Sequence, residues 1–315
     1  MLFGLARAHP DEQFLLYYRP HRFLRSFRDP LPRNTRRKIL RQAPRAPIFH
    51  ALNQRVEFRA QHTVATFHDL FVMTGEYSAA EFRSRFTAQA RRAAERSDLI
   101  IAVSRFTASQ VEDLLHVEPS RIRVIPHGTR ATHPAPSSSK TDLVLTVGAI
   151  QKRKNIARLV RAFARMPQGW RLAIAGAPNG FGAAEQLRAV EESPRRADID
   201  VLGYITNAEL EALYQRARIF AFPSLDEGFG MPVLDAMARG LAVVASNRSA
   251  IPEVAGEAAL LVDPENAGEL EAALCRLATD EGLREDLARR GRERALDFSW
   301  EAAVERTWAV YEEFR

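Results

Sequence analysis

A chain of 315 residues, 46% apolar and 27% charged, has the length of two ordinary domains and the composition of a soluble globular protein. Its single cysteine, Cys275, excludes a disulfide within the chain and fits a reducing compartment, and no apolar run approaches membrane-spanning length. The net charge of +6 is unevenly spread, with ten Lys or Arg from Arg19 to Arg45 against one acid, Asp29.

The first residues, MLFGLARAHP, reach Arg7 too soon and lack the basic start of a signal peptide. QFLLYY reads as a strand, followed by the strand HTVATFHD, a helix through FRSRFTAQARRAAERS, and the strand DLIIAVS. A helix in TASQVEDLLHV leads to IRVIPHG, and HPAPSSSKT (133–141), rich in Pro and Ser, reads as a linker. The alternation then restarts with LVLTVGA, helix NIARLVRAFARM, WRLAIAGA, a further helix, IDVLGYI, helix AELEALYQRA and RIFAFPS. Two successive βαβ arrays predict an α/β protein of two doubly wound, Rossmann-like parallel-sheet domains facing a cleft, 1–136 and 137–298. An amphipathic helix within 299–315 follows the second array.

Chemistry concentrates in SLDEGFGMPVLDAMARG (224–240), where Glu227 and Asp235 flank glycines, a proline and apolar residues. The stretch leaves a buried strand and enters a helix: Pro232 suits the first turn, Val233, Leu234, Ala236 and Met237 give a helical apolar face, and Gly240 is a stop. Ligands of open α/β sheets bind outside such strand ends, where a helix start offers unpaired N–H groups and glycines admit close approach. An anionic ligand with hydroxyl groups would use both the amides and the carboxylates. An ordinary βα unit with a solvated first-turn Asp has the same pattern. VGAIQKRKN (147–155) adds Lys152, Arg153 and Lys154 at the end of another parallel strand, hence on the same rim. Cations for a diphosphate and acids for hydroxyls together suggest a nucleotide-sugar site; a solvated basic loop is the alternative.

Nearly the whole chain resembles the retaining GT-B glycosyltransferases of glycosyltransferase family 4, glycosyl transferases group 1. The resemblance is carried by TFHDL (66–70), IIAVSRFTASQV (100–111), VIPHG (124–128), VGAIQKRKN, LGYITNAELEALY (202–214), the 224–240 motif and VVASNRSAIPEVAG (243–256). It looks most like the bacterial mannosyltransferases that build O-antigen and other polysaccharides. It implies that Glu227 binds donor-sugar hydroxyls and that Asp235, one methylene shorter than the family's second Glu, binds the ribose. Amides of Gly228, Phe229, Gly230 and Met231 would meet sugar and phosphate. Lys154 matches the diphosphate-binding lysine, near Gly148; Ala149 occupies a site that is Arg in some members, and with Gln151-Lys152 in place of Glu-Pro, Arg153 would share the charge. Tyr204 and Ile205 fall near the base, and His68 matches a first-domain histidine that reaches the donor sugar, although such a His is also a common structural residue. His50 and Asp69 fall on the acceptor side.

The resemblance implies transfer of a hexose, mannose from GDP-mannose in this branch, to a glycan or lipid-linked acceptor, without metal or cofactor. Asp198-Ile199-Asp200, the only Asp-x-Asp, precedes a strand instead of following one, unlike the metal site of the other transferase architecture. The implied location is cytoplasmic, with peripheral contact between the basic 19–45 segment and an anionic membrane. Nucleic-acid binding lacks a surrounding fold, despite Phe23 and Phe27 among the arginines. AGAPNGFG (175–182) is not a dinucleotide fingerprint. A catalytically impaired nucleotide-sugar-binding subunit is the alternative, favoured by Ala149 and Asp235. The resemblance also implies that the first domain lacks its opening strand and glycine-rich loop. MLFGLARAHP would then end the first helix, with Leu2, Phe3, Leu5 and Ala6 as its apolar face, and the 299–315 helix would complete that domain.

Overall fold

The computed structural model describes residues 1–28, 30–129 and 140–315. It divides into two compact units, one of Met1–Met73, Arg83–Gly128 and Phe298–Arg315, the other of Thr74–Phe82 and Thr129–Asp297. The expected linker lies outside the described residues up to 139, as does the boundary placed between 136 and 137. The 299–315 helix belongs to the first unit, and the short Thr74–Phe82 stretch belongs to the second.

The first unit contains two parallel sheets among its described residues. β1 (Phe14–Tyr18) pairs with β2 (Thr35–Ile39). β3 (Ile48–Ala51), β4 (His62–Phe67), β5 (Leu99–Ala102) and β6 (Ile122–Val124) form a four-stranded sheet in that order. QFLLYY is therefore a strand, as its apolar run predicts, but its hydrogen-bonded neighbour is β2. The helix Trp300–Glu312 starts where Ser299 accepts from Ala302 N and lays Ala303, Val304, Val310 and Tyr311 against Leu5, Val64, Leu99 and Ile101. The helix Leu2–Ala8 buries Leu5 and Ala6 and leaves Phe3 43% exposed. Phe3 departs from the expected apolar face because a 3.6-residue turn groups Leu2, Leu5 and Ala6 and sets Phe3 at its margin.

The second unit holds a six-stranded parallel sheet in the order β12-β11-β10-β7-β8-β9, built from β7 (Leu143–Val147), β8 (Arg171–Ala175), β9 (Ile199–Gly203), β10 (Ile219–Phe222), β11 (Ala242–Ser246) and β12 (Leu260–Val262). β7, β8, β10 and β11 are mostly buried, near-continuous apolar runs, as strands covered by helices on both faces are. The chain winds outward first to β8 and β9, then returns to the other side of β7 for β10. The winding direction thus reverses between β7 and β10, and the loops leaving those strands open a crevice at their carboxyl ends. VGAIQKRKN follows β7 and the 224–240 motif follows β10.

Backbone packing at this rim is tight. Gly148 N donates to Ala175 O, and Gly176 N donates to Gly203 O, each at 2.9 Å. A Cβ on Gly176, whose φ is +157°, would lie 1.9 Å from Gly148 O. Gly176→Ala must displace the β7 loop, and we expect a loss of roughly 3 kcal/mol, the upper range for overpacking. A urea melt with an unchanged midpoint would contradict this close approach.

Candidate functional site

The β7 loop turns through Lys152–Lys154 into Asn155, which sits in the left-handed region at φ 58° and starts the helix Ile156–Phe163. Asn155 Nδ2 donates to Pro223 O at 3.1 Å and to Pro264 O at 2.7 Å, so one amide ties the loops after β7, β10 and β12. Lys152 stays exposed, while Lys154 is only 8% exposed. Gly148 makes this possible, since a Cβ there would come within 3.1 Å of Lys154 Cε. The Lys154 ammonium lies 4.5 Å from the centre of the Phe222 ring.

Three donors converge on one oxygen of Glu227. Lys154 Nζ is 2.5 Å from Oε1, Arg153 Nη1 is 2.6 Å from it, and Ser224 Oγ donates to it at 2.6 Å. Arg153 Nη1 also donates to Asp226 O at 2.7 Å. Among the described residues these bonds all fall on Oε1, with none to Oε2. Burial opposes ionisation of Glu227, but the Lys154 ammonium and Arg153 guanidinium overcome it and hold the carboxyl down at about 2. The main chain is fixed as well: Glu227 N donates to Ser249 Oγ at 3.0 Å. Asp226 accepts from Thr74 Oγ1 at 2.8 Å, and burial pushes its carboxyl up.

Gly228, Phe229 and Gly230 are buried beside Glu227, and Met231 opens the helix Met231–Ala238. Gly230 is its N-cap at φ 103°, and no side chain caps the helix start. Asp235, on the second turn, belongs to a separate network. Its Oδ1 accepts from Thr129 Oγ1 at 2.9 Å and from Arg239 Nη1 at 3.3 Å. Arg239 also pairs with Glu211 and lies over the Tyr214 ring. Tyr204, at the end of β9, is 88% exposed and Ile205 half-buried.

The candidate histidines of the first unit find partners within that unit. His68 donates from Nε2 to Leu52 O at 2.9 Å, so its Nδ1 accepts from His127 Nε2–H at 3.1 Å. Both ring nitrogens of His68 are thus occupied. His50 bonds Tyr311 Oη and Thr66 Oγ1, and burial, then the nearby His68, push it down to about 3. Asp69 is half-buried next to His68. The acids of Asp198-Ile199-Asp200 face arginines at the start of β9, Asp198 with Arg195 and Asp200 with Arg171. Ser224, Asp226, Ser249, Asn155 and His127 had no assigned role in the sequence. RIFAFPS and VIPHG mark Ser224 and His127 only as positions, and nothing in the sequence signals a left-handed serine at 249.

Two α/β units with parallel sheets, the second doubly wound and carrying a cation-clamped acid at its switch point, fit a GT-B glycosyltransferase architecture. Residues 5–132 match the family described as Glycosyltransferase Family 4, and 130–294 match Glycosyl transferases group 1, so the chain belongs to these glycosyltransferases. It is 31% identical over 280 residues to O-antigen chain mannosyltransferase B of Escherichia coli, covering 84% of this chain and 74% of that protein. It is also 31% identical over 235 residues to the MMP alpha-(1->4)-mannosyltransferase of Mycolicibacterium hassiacum, covering 72% of this chain and 57% of that one. Anabaena Alr3699/HepE in complex with UDP and glucose superposes with a TM-score of 0.77 at 15% identity, over 99% of this chain and 95% of the other.

The clamped acid has a pH signature. A carboxyl held below its ordinary value of 4.5 contributes stability fully above that pH and loses it as the pH falls towards about 2. We expect the melting temperature to drop across this window and Glu227→Gln to lose that part of the slope. Asp226 works in the opposite sense above its ordinary value of 3.8, so Asp226→Asn should steepen the drop in that upper part of the range. Equal slopes in all three proteins would refute the assignment.

Proposed function

We propose that this glycosyltransferase moves a hexose, mannose in the first instance, from a nucleoside diphosphate sugar to a glycan or lipid-linked acceptor, with retention and without a metal. The observation that carries the reading is the buried Lys154–Arg153–Glu227 cluster at the switch point. Two cations and one acid leave an excess positive charge where a diphosphate would lie against the uncapped helix start. As the sugar departs, negative charge grows on the leaving phosphate, and Lys154 and Arg153 stabilise it from fixed positions. Glu227 Oε2 accepts from a sugar hydroxyl and sets the sugar's orientation, while Asp235 accepts from the ribose. The leaving phosphate takes the acceptor's proton, so no separate base is required. Mannose is supported by the names of the two relatives, and a diphosphate donor by the UDP held in the Anabaena structure. Both relatives are named as enzymes, which favours turnover over a binding subunit.

Lys154→Ala should reduce turnover of the accepted nucleotide sugar by roughly 10²–10³, the scale for one lost electrostatic stabiliser. Its stability cost should be about 3 kcal/mol, at the low end for a broken buried pair because Arg153 remains on Glu227. Assays across GDP-, UDP-, ADP- and TDP-sugars identify the donor, and normal turnover by the mutant would remove Lys154 from the chemistry.

The same reading places the protein in the cytoplasm with the basic segment on an anionic membrane. No helix among the described residues is long and apolar enough to cross one. Leu24 is 81% and Phe27 60% exposed, and Arg22, Arg25 and Arg28 around them are exposed as well. Each such cation contributes up to about 1 kcal/mol near anionic lipid. We expect the protein to sediment with anionic but not neutral vesicles and to be released by salt; identical sedimentation with both would exclude this surface.

A further inference from the structure

Glu227 is gripped through its main chain on both sides. Its N–H donates to Ser249 Oγ at 3.0 Å, and its carbonyl accepts from Ala250 N at 3.2 Å. The Ser249 hydroxyl gives its own proton to Arg248 O at 2.7 Å, so its lone pairs are left to face the Glu227 amide. The turn that carries it is pinned separately: Arg248 N donates to Ser246 Oγ at 3.1 Å, and the Arg248 guanidinium pairs with Asp263 at 2.9 Å and Glu265 at 2.5 Å.

Ser249 holds this position at φ 56°, in the left-handed region that side chains other than Gly, Asn and Asp enter at a cost. Glycine would adopt the same backbone without strain. What serine adds is the hydroxyl on Glu227. Strain of this kind, fixed by surrounding bonds, concentrates where geometry serves chemistry. We infer that Ser249 is a positioning residue for glycosyl transfer, holding the Glu227 main chain so that Oε2 meets the donor sugar. This rests on the reading of Glu227 as the sugar-binding acid.

Three variants separate positioning from folding. Ser249→Ala keeps the strain and loses the hydroxyl, Ser249→Gly loses both, and Ser249→Asn suits the left-handed backbone and restores an acceptor. We expect kcat/KM to fall about tenfold in the first two, the scale of one hydrogen bond, and chiefly as a higher donor KM. Ser249→Gly should melt at or above the wild type, and Ser249→Asn should recover most of the KM. Wild-type donor KM in both Ser249→Ala and Ser249→Gly would overturn the inference. Hydrogen exchange at the Glu227 amide needs no donor: protection lost in those two variants supports the clamp, and unchanged protection overturns it. A protein that turns over no nucleotide sugar would therefore sink the transferase reading alone.

Discussion

A carboxylate taken out of water must be compensated, and in this protein the compensation organises everything around it. Glu227 is 7% exposed, and its charge survives because Lys154 and Arg153 lie against one oxygen. The pairing is lopsided in a useful way. Two cations on one acid leave the crevice positive, and three donors on one oxygen leave the other oxygen open. Asp226 lies next to Glu227 in the chain, where burial pushes its carboxyl up while Thr74 and Arg153 act the other way. Under the proposed reading, an anion that also carries hydroxyls completes such a site.

The fold makes the clamp possible by bringing loops far apart in sequence to one point. β7 and β10 are neighbours in the sheet although 71 residues lie between Val147 and Ile219, and their loops supply the cations and the acid. Asn155 then ties the β7, β10 and β12 loops together through two carbonyls. Gly148 leaves the space that Lys154 fills, and Gly176 lets the β7 loop rest on the end of β8. Removing any of these small features moves the charges before it touches the core.

Much of this was legible in the residues, for a physical reason. Strands covered on both faces must be apolar runs, so LVLTV, RLAIA, IFAF and AVVAS stand out between helical patterns, and the loops after β7 and β10 could be placed on one rim. β2 escaped notice because TRRKI alternates charge along a two-stranded sheet with little cover, and β12 is three residues long. That Thr74–Phe82 belongs with the second unit is a tertiary fact with no local pattern. Ser249 is the sharpest case: its role depends on a backbone angle that serine does not advertise.

Asp235 repeats the logic of Glu227 at smaller scale. Thr129 and Arg239 anchor its Oδ1, while no donor among the described residues reaches Oδ2. Arg239 is itself held by Glu211 and by the buried Tyr214 ring, so the anchor is stiff. Under the proposed reading this resolves the cost of the shorter side chain. An aspartate reaches one methylene less far than a glutamate, but it has one rotor fewer to freeze when a ribose hydroxyl arrives. Fixing one oxygen and presenting the other lets each acid meet its hydroxyl without first ordering itself, and that preorganisation, more than the identity of either acid, is what the two sites share.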